Sequence, residues 1–221
     1  SVVESWDHLS HRGPVWNERV VEKYFVWNKI QAFELMTYHS IEHHRIIPIE
    51  SPLLSSLRRS KRELSKQKKR RKSVFFPLYN ARLGQHEPFV VRKLLESGVL
   101  ESYDLNLLLK PYPGDATFKQ RFDACLSDKR IRVANEVGIK DANSCHSLLI
   151  NSDLILSGPG TIVLEAFFFD KPVIFLGVDP EYPVGVFSST RANFFSDHFV
   201  NVMTKDAGIF VENVDQLIQA I

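Results

Sequence analysis

Eight short apolar, β-rich runs punctuate this chain, and helix-like segments separate most of them. The runs are Tyr24 to Trp27, Arg45 to Ile49, Val74 to Leu78, Asn106 to Leu109, Ile131 to Val133, Asp153 to Leu156, Pro172 to Leu176 and Gly208 to Val211. The spacing predicts helices over Gln31 to His39, Phe89 to Ser97, Phe118 to Leu126, Ala142 to Ile150 and Val214 to Ile221. Strands alternating with helices of this length imply crossover units. The expected fold is therefore α/β, a Rossmann-like parallel sheet covered by helices on both faces. In such sheets ligands lie beyond the carboxyl ends of the strands. Polar, Gly- or Pro-containing segments follow five strands and are expected to line one rim: Asn28, Tyr79-Asn80, Lys110 to Gly114, Asn135-Glu136 and Ser157 to Thr161.

The stretch from Asn151 to Asp179 holds the most chemistry. A buried strand ends in Ser157-Gly158-Pro159-Gly160-Thr161, and Ile162, Leu164, Glu165, Ala166 and Phe169 read as a helix that begins inside that turn. Two glycines let a backbone approach a ligand, and the first amides of a helix, with its dipole, favour an anion. Glu165 lies one turn past Thr161 on the same face, within reach of a sugar hydroxyl beside that anion. The turn lacks both the GxGxxG and the GK[ST] fingerprints. Its bland alternative is a strand-to-helix turn whose Ser or Thr caps the helix.

With 221 residues and 44% hydrophobic content, the chain can bury a sizeable core. No apolar run approaches the roughly 20 residues that span a bilayer. The start, Ser1-Val2-Val3-Glu4, lacks the features of a signal peptide. Cys125 and Cys145 form no framework, so a reducing, cytoplasmic setting is expected. No metal site is expected, since His43 and His44 have no further ligands at suitable spacing and read as surface residues. Glu34, at helical spacing from Ile30, reads as a solvated charge.

The net charge of +2 conceals a strong asymmetry. Arg58 to Lys72 holds ten Lys or Arg against Glu63, whereas the rest of the chain carries 18 basic and 25 acidic residues. This block reads as a basic loop or frayed helix at 58–72, either simply solvated or touching an anionic membrane surface at its inner face. Nucleic acid is not expected as a partner, because no aromatic side chain interleaves the block for base stacking. Residues 1–19, with Gly13 and Pro14 and no periodicity, read as the tail of a missing amino-terminal domain and a connection. Residues 20–221 then form the Rossmann-like domain.

Four segments in order resemble the carboxyl-terminal half of GT-B fold glycosyltransferases, in the bacterial surface-polysaccharide branch related to CDP-glycerol glycerophosphotransferases and UDP-GlcNAc 2-epimerases. Ser5-Trp6-Asp7-His8-Leu9-Ser10 with Gly13 resembles the SWDNLT...KG segment ending the first domain. Tyr24 to Asn28 resembles the VWN strand opening the second. Leu107 to Pro113 is similar to the strand ending in an RPHP-like turn. Ser152 to Ile174 is similar to the donor-binding pattern that joins a glycine turn, a glutamate and a Lys-Pro. Departures are Tyr112 in place of His, Lys110 where Arg is frequent, His8 in place of Asn, and Glu50-Ser51-Pro52 where relatives have a glycine turn.

The resemblance implies the donor-binding domain of a glycosyltransferase, which moves a sugar or polyol phosphate from a nucleotide donor in surface polysaccharide biosynthesis. Lys110, Ser157, Gly158, Gly160 and Thr161 would hold the donor diphosphate, Glu165 the ribose or sugar, and Asn135, Glu136 and Val137 the base. The nucleotide-sugar would be a substrate, with no cofactor needed. The catalytic residues and the acceptor would come from the other half, so this half alone is expected to be inactive. Two alternatives stay open: a non-catalytic nucleotide-sugar-binding or assembly module, and a UDP-GlcNAc 2-epimerase-like enzyme.

Overall fold

The structure, a computed structural model, describes residues 22–64, 72–134, 142–179, 185, 189–195, 199 and 207–221. The chain divides into two compact units, Ser1–Arg59 and Ser60–Ile221.

In the first unit, β1 (Tyr24–Val26) and β2 (Ile46–Pro48) pair in parallel across the crossover helix α1 (Lys29–His39). Asn28 starts α1: its side chain accepts from the Gln31 amide, which answers one of the orphan N–H groups of the first turn. Tyr24, Val26, Leu35, Ile41 and Ile46 form the core of this unit. The helix reverses the expected polarity. Gln31, Glu34 and His39 are buried, whereas Ile30, Phe33 and Tyr38 are each more than half exposed. Glu34, expected to be solvated, is thus a buried residue. His43 and His44 are exposed in a short 3-10 turn. The helix α2 (Pro52–Leu64) follows. Arg58 to Leu64, for which a loop and a frayed helix were the two expectations, are therefore helical, with Leu57 and Ser60 buried one turn apart. Residues 65–71 of the block lie outside the described residues, as do 1–19.

The second unit is a six-stranded parallel sheet in the order β5-β4-β3-β6-β7-β8. Its strands are β3 (Ser73–Pro77), β4 (Asn106–Lys110), β5 (Ile131–Val133), β6 (Leu154–Ser157), β7 (Val173–Leu176) and β8 (Ile209–Val211). The central strands are continuous apolar runs because both of their faces are covered: Val74, Phe75 and Phe76 on β3 and all of β7 are buried. Side chains alternate between the faces. On one, Val74, Phe76, Leu107, Leu109, Leu156 and Ile174 pack with α3 (Glu87–Glu96), α5 (Phe118–Leu126) and α9 (Val214–Ala220). Burial of Phe118, Phe122 and Cys125 at helical spacing fixes the inward stripe of α5. On the other, α6 (Ala142–Asn151) and α7 (Thr161–Phe168) cover the sheet, and Phe175 packs edge-on against Phe167, Phe194 and Phe199. The short helices α4 (Val99–Ser102) and α8 (Thr190–Phe194) complete the unit. The fold class is the expected one.

The topology also fixes where a ligand can sit. From β3 the chain winds outward through β4 to β5 and then returns to β6 on the other side of β3. The winding direction reverses there, so β3 and β6 flank a topological switch point, where the segments beyond two neighbouring carboxyl ends diverge and leave a crevice.

Candidate functional site

The segments that meet at the switch point are Leu78-Tyr79-Asn80 after β3 and Gly158 to Thr161 after β6, with Lys110 at the end of the adjacent strand β4. At the start of α7 the cap position is Gly160, in extended conformation, so no cap side chain occupies the end of the helix. The Val163 amide closes the first turn on the Gly160 carbonyl at 3.1 Å. The sequence alternative, a start capped by Ser157 or Thr161, does not describe this turn. Ser157 is buried on β6 and its hydroxyl donates to the Gly158 carbonyl at 2.9 Å. Thr161 is the first helical residue and is exposed.

Tyr79 explains one of the glycines. A Cβ on Gly158 would meet Tyr79 Cε2 at 2.3 Å, whereas one on Gly160 would lie 3.4 Å from the Tyr79 hydroxyl. The phenol also donates a hydrogen bond to the Pro159 carbonyl. Gly158 therefore makes room for an aromatic ring, a role that the sequence reading had given to a ligand. Neither glycine has positive φ. Gly114, in the turn after β4, does (78°) and supplies the left-handed residue there.

Tyr79 is held in turn from below. Its amide donates to Oε1 of buried Glu87 at 2.8 Å, and its carbonyl accepts from Arg121 at 3.3 Å. Arg121 also donates to the Gly84 carbonyl at 2.7 Å and to Asp115 at 2.5 Å, which ties the loop after β3 to the turn after β4. Burial raises the Glu87 carboxyl to about 8, against the Tyr79 hydrogen bond and the Arg121 charge, which lower it. Burial prevails because Oε2 has no hydrogen-bond partner among the described residues, while Arg121, engaged elsewhere, stays 3.7 Å away. At Asp115 burial is outweighed by hydrogen bonds from Thr117 and Arg121, and its carboxyl lies below the usual range.

Glu165 lies one turn into α7, its side chain 14% exposed. Burial raises its carboxyl to about 7, and the positive charge of Lys110 opposes that rise. The two predicted residues thus face one electrostatic environment across β4 and α7, which also includes half-buried Cys145, whose thiol burial raises to about 11. His146 Nε2 lies 3.8 Å from Glu165 Oε2, and its Nδ1 meets the Ser60 hydroxyl at 2.6 Å. Burial lowers the His146 pKa. No local spacing singles out Tyr79's ring, Glu87, Arg121 or His146: each acts through partners far away along the chain.

Other polar residues have local roles. Lys171, of the Lys-Pro pair, donates to the Ile150 and Ser152 carbonyls at the end of α6, at 2.6 and 2.8 Å. Arg191 pairs with Glu212 at 2.7 Å, and Asn193 donates to the Ser189 carbonyl at 2.8 Å. Tyr112 is 44% exposed, and Glu50 forms an exposed ion pair with Arg58. Asn135, Glu136 and Val137 lie outside the described residues. Among the described residues, no group of three or more His, Cys, Asp or Glu is placed to hold a metal ion, and no helix is long and apolar enough to cross a membrane.

No protein-family model matches the chain, and no curated protein matches it. Solved structures do. The chain resembles the Methanocaldococcus jannaschii UDP-GlcNAc 2-epimerase in complex with UDP-GlcNAc and UDP, at a TM-score of 0.60 and 19% identity over 90% of this chain and 53% of that one. It resembles the Neisseria meningitidis UDP-GlcNAc 2-epimerase bound to UDP-GlcNAc at 0.56 and 17%, over 90% and 60%. It resembles the wall teichoic acid polymerase TagF at 0.50 and 10%, over 90% and 48%. The chain therefore spans 48% to 60% of the length of these proteins.

Proposed function

We propose that this chain, whose fold is that of the carboxyl-terminal half of a GT-B protein, is the donor-binding half of a transferase that moves a sugar or polyol phosphate from a nucleotide donor in surface polysaccharide biosynthesis. One observation carries the reading: the SGPGT turn, with an uncapped helix start, lies at the switch point of the sheet, with Glu165 one turn into the helix that follows it. The ligands named for the matched epimerases, UDP and UDP-GlcNAc, support a nucleotide-sugar donor.

The residues divide the work by charge. The amides of Gly160 and Thr161 and the ammonium of Lys110 stabilise the negative charge that develops on the leaving diphosphate. Glu165, as a carboxylate, accepts hydrogen bonds from ribose or sugar hydroxyls. Ser157 and Gly158 shape the turn. The basic block Arg58 to Lys72 meets anionic lipid at the membrane face, which cosedimentation with phosphatidylserine vesicles, compared with neutral ones, tests. Calorimetric titration with UDP, CDP and GDP tests the donor site itself. Binding of at least one, weakened by Glu165→Ala, is expected; no binding of any at millimolar concentration would refute it.

A second reading, epimerisation, is favoured by the higher backbone similarity to the two epimerases than to TagF. The two readings separate when the preceding half is restored. A transferase then consumes the donor only with an acceptor, an epimerase converts it to its C2 epimer without one, and a binding module does neither.

A further inference from the structure

The Tyr79 phenol is half-buried at the switch point, and the donor-site reading gives it no task. Its ring needs only to pack on Gly158, which a phenylalanine would do as well. The hydroxyl does something more, since it donates to the Pro159 carbonyl. No peptide among the described residues is cis. In the planar trans unit joining Pro159 to Gly160, C=O and N–H point in opposite directions. Holding the carbonyl toward Tyr79 therefore aims the Gly160 N–H away from it, and that N–H has no acceptor among the described residues. Without the hold the peptide plane is loose, because Gly160 is free to rotate on one side of it. Tyr79 can act as a fixed post because Glu87 and Arg121 grip its backbone on both sides, and Glu87 is 1% exposed.

We propose that Tyr79 is a positioning residue: its hydroxyl, by holding the Pro159 carbonyl, points the Gly160 amide at the diphosphate of a bound nucleotide. The proposal rests on the donor-site reading and adds a component that the turn sequence does not contain. It also accounts for the investment in burying Glu87 and Arg121 behind the loop. Their effect is passed through Tyr79 to a peptide 80 positions away in the sequence.

The test compares Tyr79→Phe with the unaltered 221-residue chain by calorimetry, using UDP and uridine as probes, and follows the Gly160 amide by proton–nitrogen NMR. The phenylalanine keeps the ring on Gly158, so folding should be retained. UDP affinity should fall about fivefold, the equivalent of one ordering hydrogen bond. Uridine affinity should stay unchanged, and the downfield shift of the Gly160 amide on adding UDP should shrink. Equal UDP affinity in the two proteins, or equal losses for UDP and uridine, would overturn the proposal while leaving the donor site standing. An unaltered chain that binds no UDP and shows no Gly160 shift would remove the donor site, and this inference with it.

Discussion

Glu165 should make nucleotide-sugar binding depend on pH in a window where ordinary carboxylates are fully ionised. An unperturbed Glu titrates at about 4.3. Burial on α7 raises Glu165 to about 7, even with Lys110 pulling the other way. Only the carboxylate offers two full acceptors to ribose or sugar hydroxyls. If the ionised form is the binding form, the apparent Kd scales as one plus the ratio of protonated to ionised Glu165. That factor is about 1.1 at pH 8 and about 11 at pH 6, a tenfold loss worth about 1.4 kcal/mol. UDP-GlcNAc is the suitable probe, because its diphosphate is esterified at both ends and has no second ionisation near pH 6. Burial lowers the His146 pKa, which moves its titration away from that of Glu165. Calorimetry from pH 5.5 to 8.5 on the chain and on Glu165→Gln checks the prediction. Glu165→Gln should bind more weakly, by about ten- to a hundredfold at pH 8, the loss expected for hydrogen bonds to a charged acceptor, and its profile should be flat. A flat profile in the unaltered chain, tighter binding at low pH, or unimpaired binding by Glu165→Gln would refute the reasoning.

Other outcomes follow from the same contacts. Glu87 has a folded pKa of about 8, above its unfolded value, so the fold favours its protonated form and stability falls as pH rises between about 4.5 and 8. Glu87→Gln keeps an acceptor for the Tyr79 amide, and denaturant melts should show it flattening that decline, with a gain of a few kcal/mol at pH 8.5; a parallel decline in both proteins would contradict this. Gly158→Ala drives a Cβ into the Tyr79 ring and should cost about 1–3 kcal/mol in chemical denaturation. The loss should shrink when Tyr79→Ala is added, and simple additivity would show that the ring is not the cause. Lys171→Met removes two charge-assisted bonds to the carbonyls ending α6 and should lower stability by about 1–3 kcal/mol at every pH from 6 to 8; unchanged melting would show those bonds to be worth nothing net.

The strands were legible because the central ones are buried on both faces, which leaves runs such as Val74-Phe75-Phe76 and Val173 to Leu176 without polar interruption. The basic end of helix α2 was legible only as one of two alternatives, a loop or a frayed helix. Its described exposed positions are dominated by Arg and Lys, which suit a solvated loop and a helix alike, and the buried face rests on Leu57 and the small polar Ser60 one turn apart. Helix α1 was placed, but its buried Glu34 and exposed Phe33 invert the usual stripe. At the candidate site, the position of the turn and the face of Glu165 followed from local spacing. The cause of Gly158 did not, because Tyr79 is 79 residues away and only the strand order β3-β6 brings them together. The grip of Glu87 and Arg121 on that loop was hidden for the same reason.

The central claim is that a nucleotide diphosphate lies on the uncapped start of α7 at the switch point. The position of UDP in crystals of the chain grown with the nucleotide tests it most directly. Phosphate oxygens should lie about 2.7–3.2 Å from the Gly160 and Thr161 amides, with a ribose hydroxyl on Glu165. A diphosphate bound away from that turn, with Tyr79 and Glu165 untouched, would contradict it.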